Sequence, residues 1–87
     1  MPDSPRRVRV LYFAALKERM GTASEDVELP ASVGDVRAFA AWIERERPQL
    51  RGVLGSVRFA VGDEFAARDR VILDGDVVAL LPPVSGG

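Results

Sequence analysis

The pattern of apolar and polar positions in the first third of the chain predicts a strand, a short helix and a second strand. Residues 6–13 alternate at first and then become continuously apolar, which is typical of a mostly buried strand. Residues 14–20 are rich in helix formers and are followed by Gly21, a residue type that commonly terminates helices. Residues 25–29 alternate up to Pro30 and predict the second strand.

The clearest helical pattern follows Ser32, which we expect to cap the helix, with Asp35 three residues later in capping-box spacing. One apolar stripe with the spacing i, i+3, i+4 and i+7 runs along this helix. The stripe consists of Val36, Phe39, Ala40 and Ile43. Trp42 lies beside the stripe, so we expect it to cover the edge between the helix and the sheet. Pro48 ends the pattern.

The second half of the chain predicts three more strands. Residues 57–61 form the third strand, a Gly-Asp pair at 62–63 is typical of a turn, and residues 65–66 predict a short return strand. An Asp-Gly-Asp run at 74–76 predicts a tight turn into a last strand at 77–81, in which every residue is apolar. An unbroken apolar run favours a central place in the sheet, with a parallel pairing to the first strand as the expected arrangement.

This order of elements predicts an α+β fold of the β-grasp, ubiquitin-like type, in which a mixed sheet carries one main helix on one face. We expect residues 1–7 to form a flexible leader, residues 8–81 the β-grasp domain, and residues 82–87 an extended, flexible C-terminal tail. The sequence contains no linker, internal repeat or low-complexity segment. A central last strand would give the tail a rigid base.

Composition and charge exclude several classes of function. The chain has 87 residues, of which 47% are hydrophobic, and a net charge of −1. This composition suffices for one packed domain and gives no reason to expect nucleic acid or an anionic membrane as a partner. No apolar run approaches the roughly 20 residues that span a bilayer, and the N-terminus lacks the pattern of a signal peptide. We therefore expect a cytoplasmic protein.

The sequence contains neither cysteine nor histidine, which removes most candidates for catalysis. Disulfides, thiol nucleophiles and the usual ligands of zinc and iron are excluded, as is the commonest general base near neutral pH. The remaining candidates are 13 carboxylates, the single lysine Lys17 and a few hydroxyl groups. We expect no self-contained active site, and no metal or cofactor bound by this chain.

The last residues of the sequence are the strongest candidate for chemistry. Pro82 and Pro83 restrict the backbone to extended conformations, whereas Gly86 and Gly87 have no side chain and could pass through a narrow channel. At about 3.1 Å per residue, the segment from Pro82 onward would reach roughly 19 Å. The tail could therefore enter a buried site in another protein. The alternative is an end without a role.

Three stretches of the sequence resemble the small subunit of molybdopterin synthase, a sulfur carrier of the ubiquitin-like β-grasp type. The first is residues 10–18 followed by Gly21, and the second combines residues 59–62 with residues 73–79. The third and most specific is Leu81-Pro82-Pro83-Val84-Ser85-Gly86-Gly87. The family often has asparagine at the position of Gly62, a difference that we expect to alter only a turn.

The resemblance implies a chemical cycle at Gly87. Its carboxylate would be adenylated with ATP and converted to a thiocarboxylate, which donates sulfur to the pterin precursor of the molybdenum cofactor. The tail residues inserted into the partner would be Pro82, Pro83, Val84, Ser85 and Gly86. The implied partners are the synthase large subunit, in a heterotetramer, and a ubiquitin-activating-type adenylyltransferase. ATP would be bound by that enzyme, and the sulfurtransferase activity would belong to the synthase complex.

The resemblance also implies a partner interface on the sheet face beside the tail. The matching positions are Phe13, Phe65 and Leu81, although packing in the core is an equally open interpretation for Phe13. Lys17, Arg58 and Arg68 could form a polar rim, or they could simply be solvated. For Arg6, Arg7 and Arg9 we expect a solvated surface.

Other carriers and modifiers share the fold and the Gly-Gly ending. The alternatives are a sulfur carrier for thiamine or cysteine synthesis, a ubiquitin-like modifier that joins Gly87 to lysines of other proteins, and an interaction module with an inert tail. Thiamine carriers are usually shorter and lack the two prolines, which favours the molybdopterin interpretation. Intact mass would separate the classes.

Overall fold

The computed structural model describes residues 5–83 of the 87-residue chain. The expectations for residues 1–4, and for Val84, Ser85, Gly86 and Gly87, lie outside the described residues. Two short 3-10 turns follow the main helix, and these were not predicted. The elements are β1 (Arg6–Tyr12), α1 (Ala15–Met20), β2 (Ser24–Leu29), α2 (Val36–Glu46), the 3-10 turns Pro48–Leu50 and Leu54–Ser56, β3 (Arg58–Val61), β4 (Glu64–Phe65) and β5 (Val77–Leu81).

The five strands form one mixed sheet in the order β2-β1-β5-β3-β4. β5 lies in the middle, parallel to β1 and antiparallel to β3, and Ala79 is paired with Leu11 on one side and Ala60 on the other. The central, parallel placement predicted for the last strand is therefore confirmed. Because both edges of β5 are hydrogen-bonded, its C-terminal end is a fixed point from which the chain leaves the sheet.

Helix α2 covers one face of this sheet and forms the core with it. All four residues of the predicted stripe are buried, and the ring of Phe39 packs edge-on against Phe59 of β3 at 6.3 Å between centroids. Trp42 is half-buried and lies 6.1 Å from Phe39, at the rim of the core as predicted. The predicted β-grasp arrangement, with one main helix on one face of a mixed sheet, is confirmed.

The predicted N-cap of α2 was wrong. The helix begins at Val36, and the preceding residue Asp35 caps it: its Oδ1 accepts a hydrogen bond from the backbone N–H of Ala38 at 2.9 Å. A cap must directly precede the first helical residue, because its side chain reaches the free N–H groups of the first turn. Ser32 lies three residues too early for this contact and is exposed in the loop before α2.

The predicted boundary between leader and domain was also misplaced. β1 begins at Arg6, which is paired with Leu29, as the strand pattern from residue 6 predicts, so the leader expected to extend to residue 7 overlaps the sheet by two residues. The Arg6 guanidinium donates hydrogen bonds to the carbonyls of Ile72 at 2.9 Å and Pro30 at 2.8 Å, and also to that of Val33. Arg6 therefore holds two loops against β1 and is not a solvated residue, contrary to the expectation.

A polar cluster ties the end of α2 to the first two strands. Arg47, just after α2, binds Glu25 of β2 through two nitrogens, with the shorter N–O distance 2.8 Å, and the Tyr12 hydroxyl donates a hydrogen bond to the same carboxylate. The hydrogen bonds from Arg47 hold the pKa of Glu25 below its ordinary value of 4.5. Burial, and then the bond to Glu25, raise the pKa of Tyr12.

We expect Glu25→Gln to flatten the acid dependence of stability. A carboxyl whose pKa is lowered on folding stabilises the native state above its ordinary pKa, and this stabilisation is lost as the pH falls through the folded value. The wild-type free energy of unfolding should therefore fall from about pH 5 to about pH 3 more steeply than that of the variant. Urea denaturation across this range measures the difference.

Asp26→Asn is the matched control, because its ion pair with Arg9 is exposed to solvent. Exposed pairs contribute little to stability, so this change should flatten the profile less. Parallel profiles for wild type and Glu25→Gln would show that the cluster does not couple protonation to folding.

Candidate functional site

The face of the sheet opposite α2 is open and largely apolar. Along β1 and β5 the inward-facing residues are buried, whereas Leu11 and Ala79 between them are half-buried and Val77 is 38% exposed. Strand residues alternate between the two faces of a sheet. The unbroken apolar run of β5 therefore supplies the core on one side and an exposed apolar surface on the other.

The structure brings together the three residues predicted as a partner interface. Phe13, Phe65 and Leu81 line one shallow cavity of about 230 Å³ on this open face. Phe65 is 67% exposed, Phe13 is 42% exposed and Leu81 is half-buried. Core packing of Phe13 was the wrong alternative. The residues of the cavity that sequence reasoning missed are Leu11, Ala60, Asp63, Val77 and Ala79.

A signal for the missed residues was present in the sequence. A strand in the middle of the sheet has two faces, but a single amphipathic helix can cover only one of them. Continuous apolarity at residues 77–81, together with the apolar end of the first strand, therefore indicates an uncovered apolar face. Both runs were interpreted only as buried strands, so their outward-facing residues were not predicted.

Two tight turns present the aromatic side chains. The β3–β4 turn is formed by Gly62 and Asp63, both with positive φ (57° and 73°), and it places Phe65 at the edge of the sheet. Ala14, directly after Phe13, has φ 53° and ψ −126°, a conformation that side-chain-bearing residues rarely adopt. Strain of this kind costs about 1–3 kcal/mol and is concentrated at functional sites. The structure thus bends sharply where Phe13 is exposed.

The other half of the open face is polar. Arg9 of β1 is paired in register with Asp26 of β2, and their side chains form a 2.9 Å ion pair in solvent. The apolar surface is therefore confined to the part of the sheet built from the end of β1, β5 and the β3–β4 hairpin. We call this part the apolar face, defined by the eight residues that line the cavity.

The chain leaves the sheet at the margin of the apolar face. Leu81 is the last residue of β5, Pro82 is half-buried and Pro83 is exposed. The end of β5 therefore fixes the point at which the chain leaves the sheet, and this point adjoins the cavity. Of the predicted rim, Arg58 packs over Phe65, Arg68 lines a neighbouring cavity with Arg58, and Lys17 lies on α1 without lining either cavity.

Metal binding and membrane crossing find no support among residues 5–83. No group of three or more acidic side chains in this range is arranged to hold a metal ion. Among the same residues, no helix combines the length and the apolarity needed to cross a bilayer.

Comparison with known proteins agrees with this picture. The molybdopterin synthase sulfur carrier subunit of Homo sapiens is 36% identical over 86 residues, covering 93% of this chain and 94% of the relative. A complex of subunits 1 and 2 of the molybdopterin-converting factor from Helicobacter pylori contains a chain that is 33% identical, with a TM-score of 0.64 and coverage of 93% of this chain and 99% of that one.

The fold is shared more widely than this one function. The crystal structure of small archaeal modifier protein 1 from Haloferax volcanii matches with a TM-score of 0.79 and 25% identity, covering 93% of this chain and 99% of that one. The model of the ThiS family matches residues 10–87, which include the apolar face and all of the tail. This chain therefore belongs to the ThiS family.

Proposed function

We propose that the chain is the sulfur carrier subunit of a molybdopterin synthase, acting in the cytoplasm. The observation that carries the proposal is the position of the tail base. Leu81 ends the central strand and also lines the apolar face, so a partner that covers this face lies next to the point at which the tail begins. The relatives that bear this name span nearly the whole chain, which supports the assignment.

The reactive group in this proposal is the carboxylate of Gly87. A carboxylate resists nucleophiles because it is charged and has no good leaving group. Adenylation with ATP releases pyrophosphate and gives a mixed anhydride, from which a sulfur nucleophile displaces AMP as the new C–S bond forms. The resulting thiocarboxylate is a soft nucleophile near neutral pH, and it makes a catalytic side chain in the carrier unnecessary.

Two partners follow from this chemistry. The Helicobacter pylori complex of subunits 1 and 2 supports a large subunit as the partner that accepts the charged tail. A ubiquitin-activating-type adenylyltransferase is the partner that would bind ATP and activate Gly87. The restricted backbone of Pro82 and Pro83 reduces the conformational entropy lost when the tail is inserted into either one.

Reconstitution tests the proposal. The chain prepared with a thiocarboxylate at Gly87 is mixed with the large subunit from the same organism and the pterin precursor, and formation of the dithiolene product is followed. The same chain with an ordinary carboxylate is the matched control. We expect product only from the thiocarboxylate form. Equal lack of product from both, with a large subunit that is active with a thiocarboxylated carrier from another organism, would contradict the proposal.

A protein modifier is the second candidate, since the archaeal modifier protein has a closely similar fold. In that case the activated Gly87 would be transferred to a lysine amine of another protein. The two candidates need the same activation but differ in the nucleophile that attacks the adenylate. The covalent state of Gly87 in cells therefore distinguishes them.

A further inference from the structure

One basic side chain lies at the margin of the apolar face, beside the base of the tail. Arg58 is the first residue of β3 and is paired in register with Leu81, the last residue of β5. Its neighbours Val57 and Phe59 are buried, so alternation directs Arg58 to the open side. Arg58 is thus the cation directly across the sheet from the point at which the tail begins.

The Arg58 guanidinium is held over an aromatic ring. Its Cζ lies 4.7 Å from the centroid of the Phe65 ring, which is within the range of a cation–π contact. A guanidinium over an aromatic ring keeps N–H groups that can still donate to a carboxylate. This contact orders a long side chain before any partner arrives, which lowers the entropy lost on binding.

Like most arginines among residues 5–83, Arg58 has no acidic partner, and it differs from them in its position over the Phe65 ring. Arg9, Arg47 and Arg70 are each paired with a carboxylate of this chain. Among residues 5–83, Arg58 makes neither a side-chain hydrogen bond nor an ion pair, and its side chain lies over Phe65 at the margin of the apolar face. An arginine that is ordered by an aromatic ring, and whose N–H groups have no acceptor in the free protein, is typical of residues that anchor interfaces.

The acidic groups near Arg58 lie at the other end of the hairpin. Asp63 is in the β3–β4 turn, five positions further along the chain, where it lines the far side of the cavity. Glu64 is paired with Arg70 at 3.7 Å, which leaves it less available to other cations. A positive group therefore lies beside the tail end of the apolar face, and a negative group lies at its opposite end.

We propose that Arg58 is a specificity-determining residue that binds a carboxylate of the large subunit at the mouth of the channel that receives the tail. The fitting partner surface has an apolar depression for Phe65 and an Asp or Glu beside it, close to the tail entrance. This proposal rests on the proposed function, since it takes the large subunit as the partner. The paired charges orient the carrier so that the tail enters the channel.

Charge reversal tests the proposal. Dissociation constants for the large subunit are measured by calorimetry for wild type, Arg58→Glu and Arg58→Lys at low and high salt. We expect Arg58→Glu to weaken binding by roughly tenfold or more, because it leaves two carboxylates facing each other in the interface. Arg58→Lys, which keeps the charge but loses the planar stack, should lie between the two. The difference should shrink at high salt.

Arg37→Glu is the matched control, because it makes the same change of charge at an exposed position of α2 outside the apolar face. It should bind almost as wild type does. A large-subunit variant with lysine in place of the acidic residue nearest the channel mouth should restore binding to Arg58→Glu.

The outcomes separate this inference from the proposed function. Equal binding by Arg58→Glu and Arg37→Glu, with wild type bound normally, would overturn the role of Arg58 alone. Failure of the wild-type chain to bind the large subunit would overturn the proposed function, and this inference with it. Melting curves of each variant establish that the domain is folded, since Arg58 and Arg37 are both exposed and should tolerate the change.

Discussion

Removal of Gly87 is expected to abolish sulfur transfer while leaving the free energy of unfolding nearly unchanged. In the proposed cycle the carboxylate of Gly87 is adenylated and then converted to a thiocarboxylate. Without this residue the chain would end in the carboxylate of Gly86, which would lie short of the active sites of both partners. The buried core among the described residues ends at Leu80, and the sheet ends at Leu81. A thiocarboxylate assay and a thermal melt measure the two effects.

A chain extended by one alanine beyond Gly87 is the matched variant. It retains every residue of the tail but replaces the reactive carboxylate with a peptide bond, and we expect it to be as inactive as the deletion. Sulfur transfer by either variant at the wild-type rate would contradict the assignment of Gly87. A large fall in melting temperature would show instead that the tail is part of the folded core.

Phe65→Asp is expected to weaken binding of the large subunit by roughly 100-fold, with little change in the stability of the isolated domain. Full burial of a phenylalanine side chain in an interface contributes about 1.5–3 kcal/mol, and removal of a carboxylate from water adds a further penalty. In the free domain Phe65 is already 67% exposed, so folding loses little apolar burial. The change also removes the ring over which Arg58 stacks.

Leu73→Asp is the control for nonspecific effects. Leu73 is 62% exposed, close to the value for Phe65, but it lines a different cavity together with Pro30 and Val71. It should therefore change neither binding nor sulfur transfer by more than a small factor. Binding of the Phe65→Asp variant at the level of Leu73→Asp would show that the docking surface lies elsewhere.

The elements of the fold could be predicted because their signals are local. The apolar stripe of α2, the turn at residues 74–76 and the unbroken apolar run of β5 each depend on neighbouring residues alone. The central position of β5 also followed, because a strand without polar positions cannot lie at a solvated edge. The unpredicted 3-10 turns after α2 have weak patterns of only three residues each.

Other features depend on contacts between distant parts of the chain. Arg6 was predicted to be solvated, but its carbonyl partners belong to loops 24 to 66 positions away in the sequence. Asp35 is the cap of α2 because the loop after β2 ends there. The presence of a serine at position 32 does not show where that loop ends. Arg58 is not distinguished by sequence from the other arginines, and only its pairing with Leu81 and its stacking on Phe65 single it out.

For the candidate site, three residues of the surface could be predicted from the sequence, but the way in which they come together could not. The resemblance identified Phe13, Phe65 and Leu81, but only the sheet order explains why one surface contains all three: β5 separates β1 from β3 and β4 and contributes Leu81 between them. The roles of Val84, Ser85, Gly86 and Gly87 lie outside the described residues and stay predictions.

The intact mass of the protein purified from its own organism tests the central claim most directly. Fragmentation then locates any modification within the tail. We predict a population in which one oxygen of Gly87 is replaced by sulfur, and a shift of this population back to the carboxylate when the pterin precursor and the large subunit are added. An unmodified carboxylate under every growth condition, or Gly87 found only in isopeptide linkage to other proteins, would contradict the account.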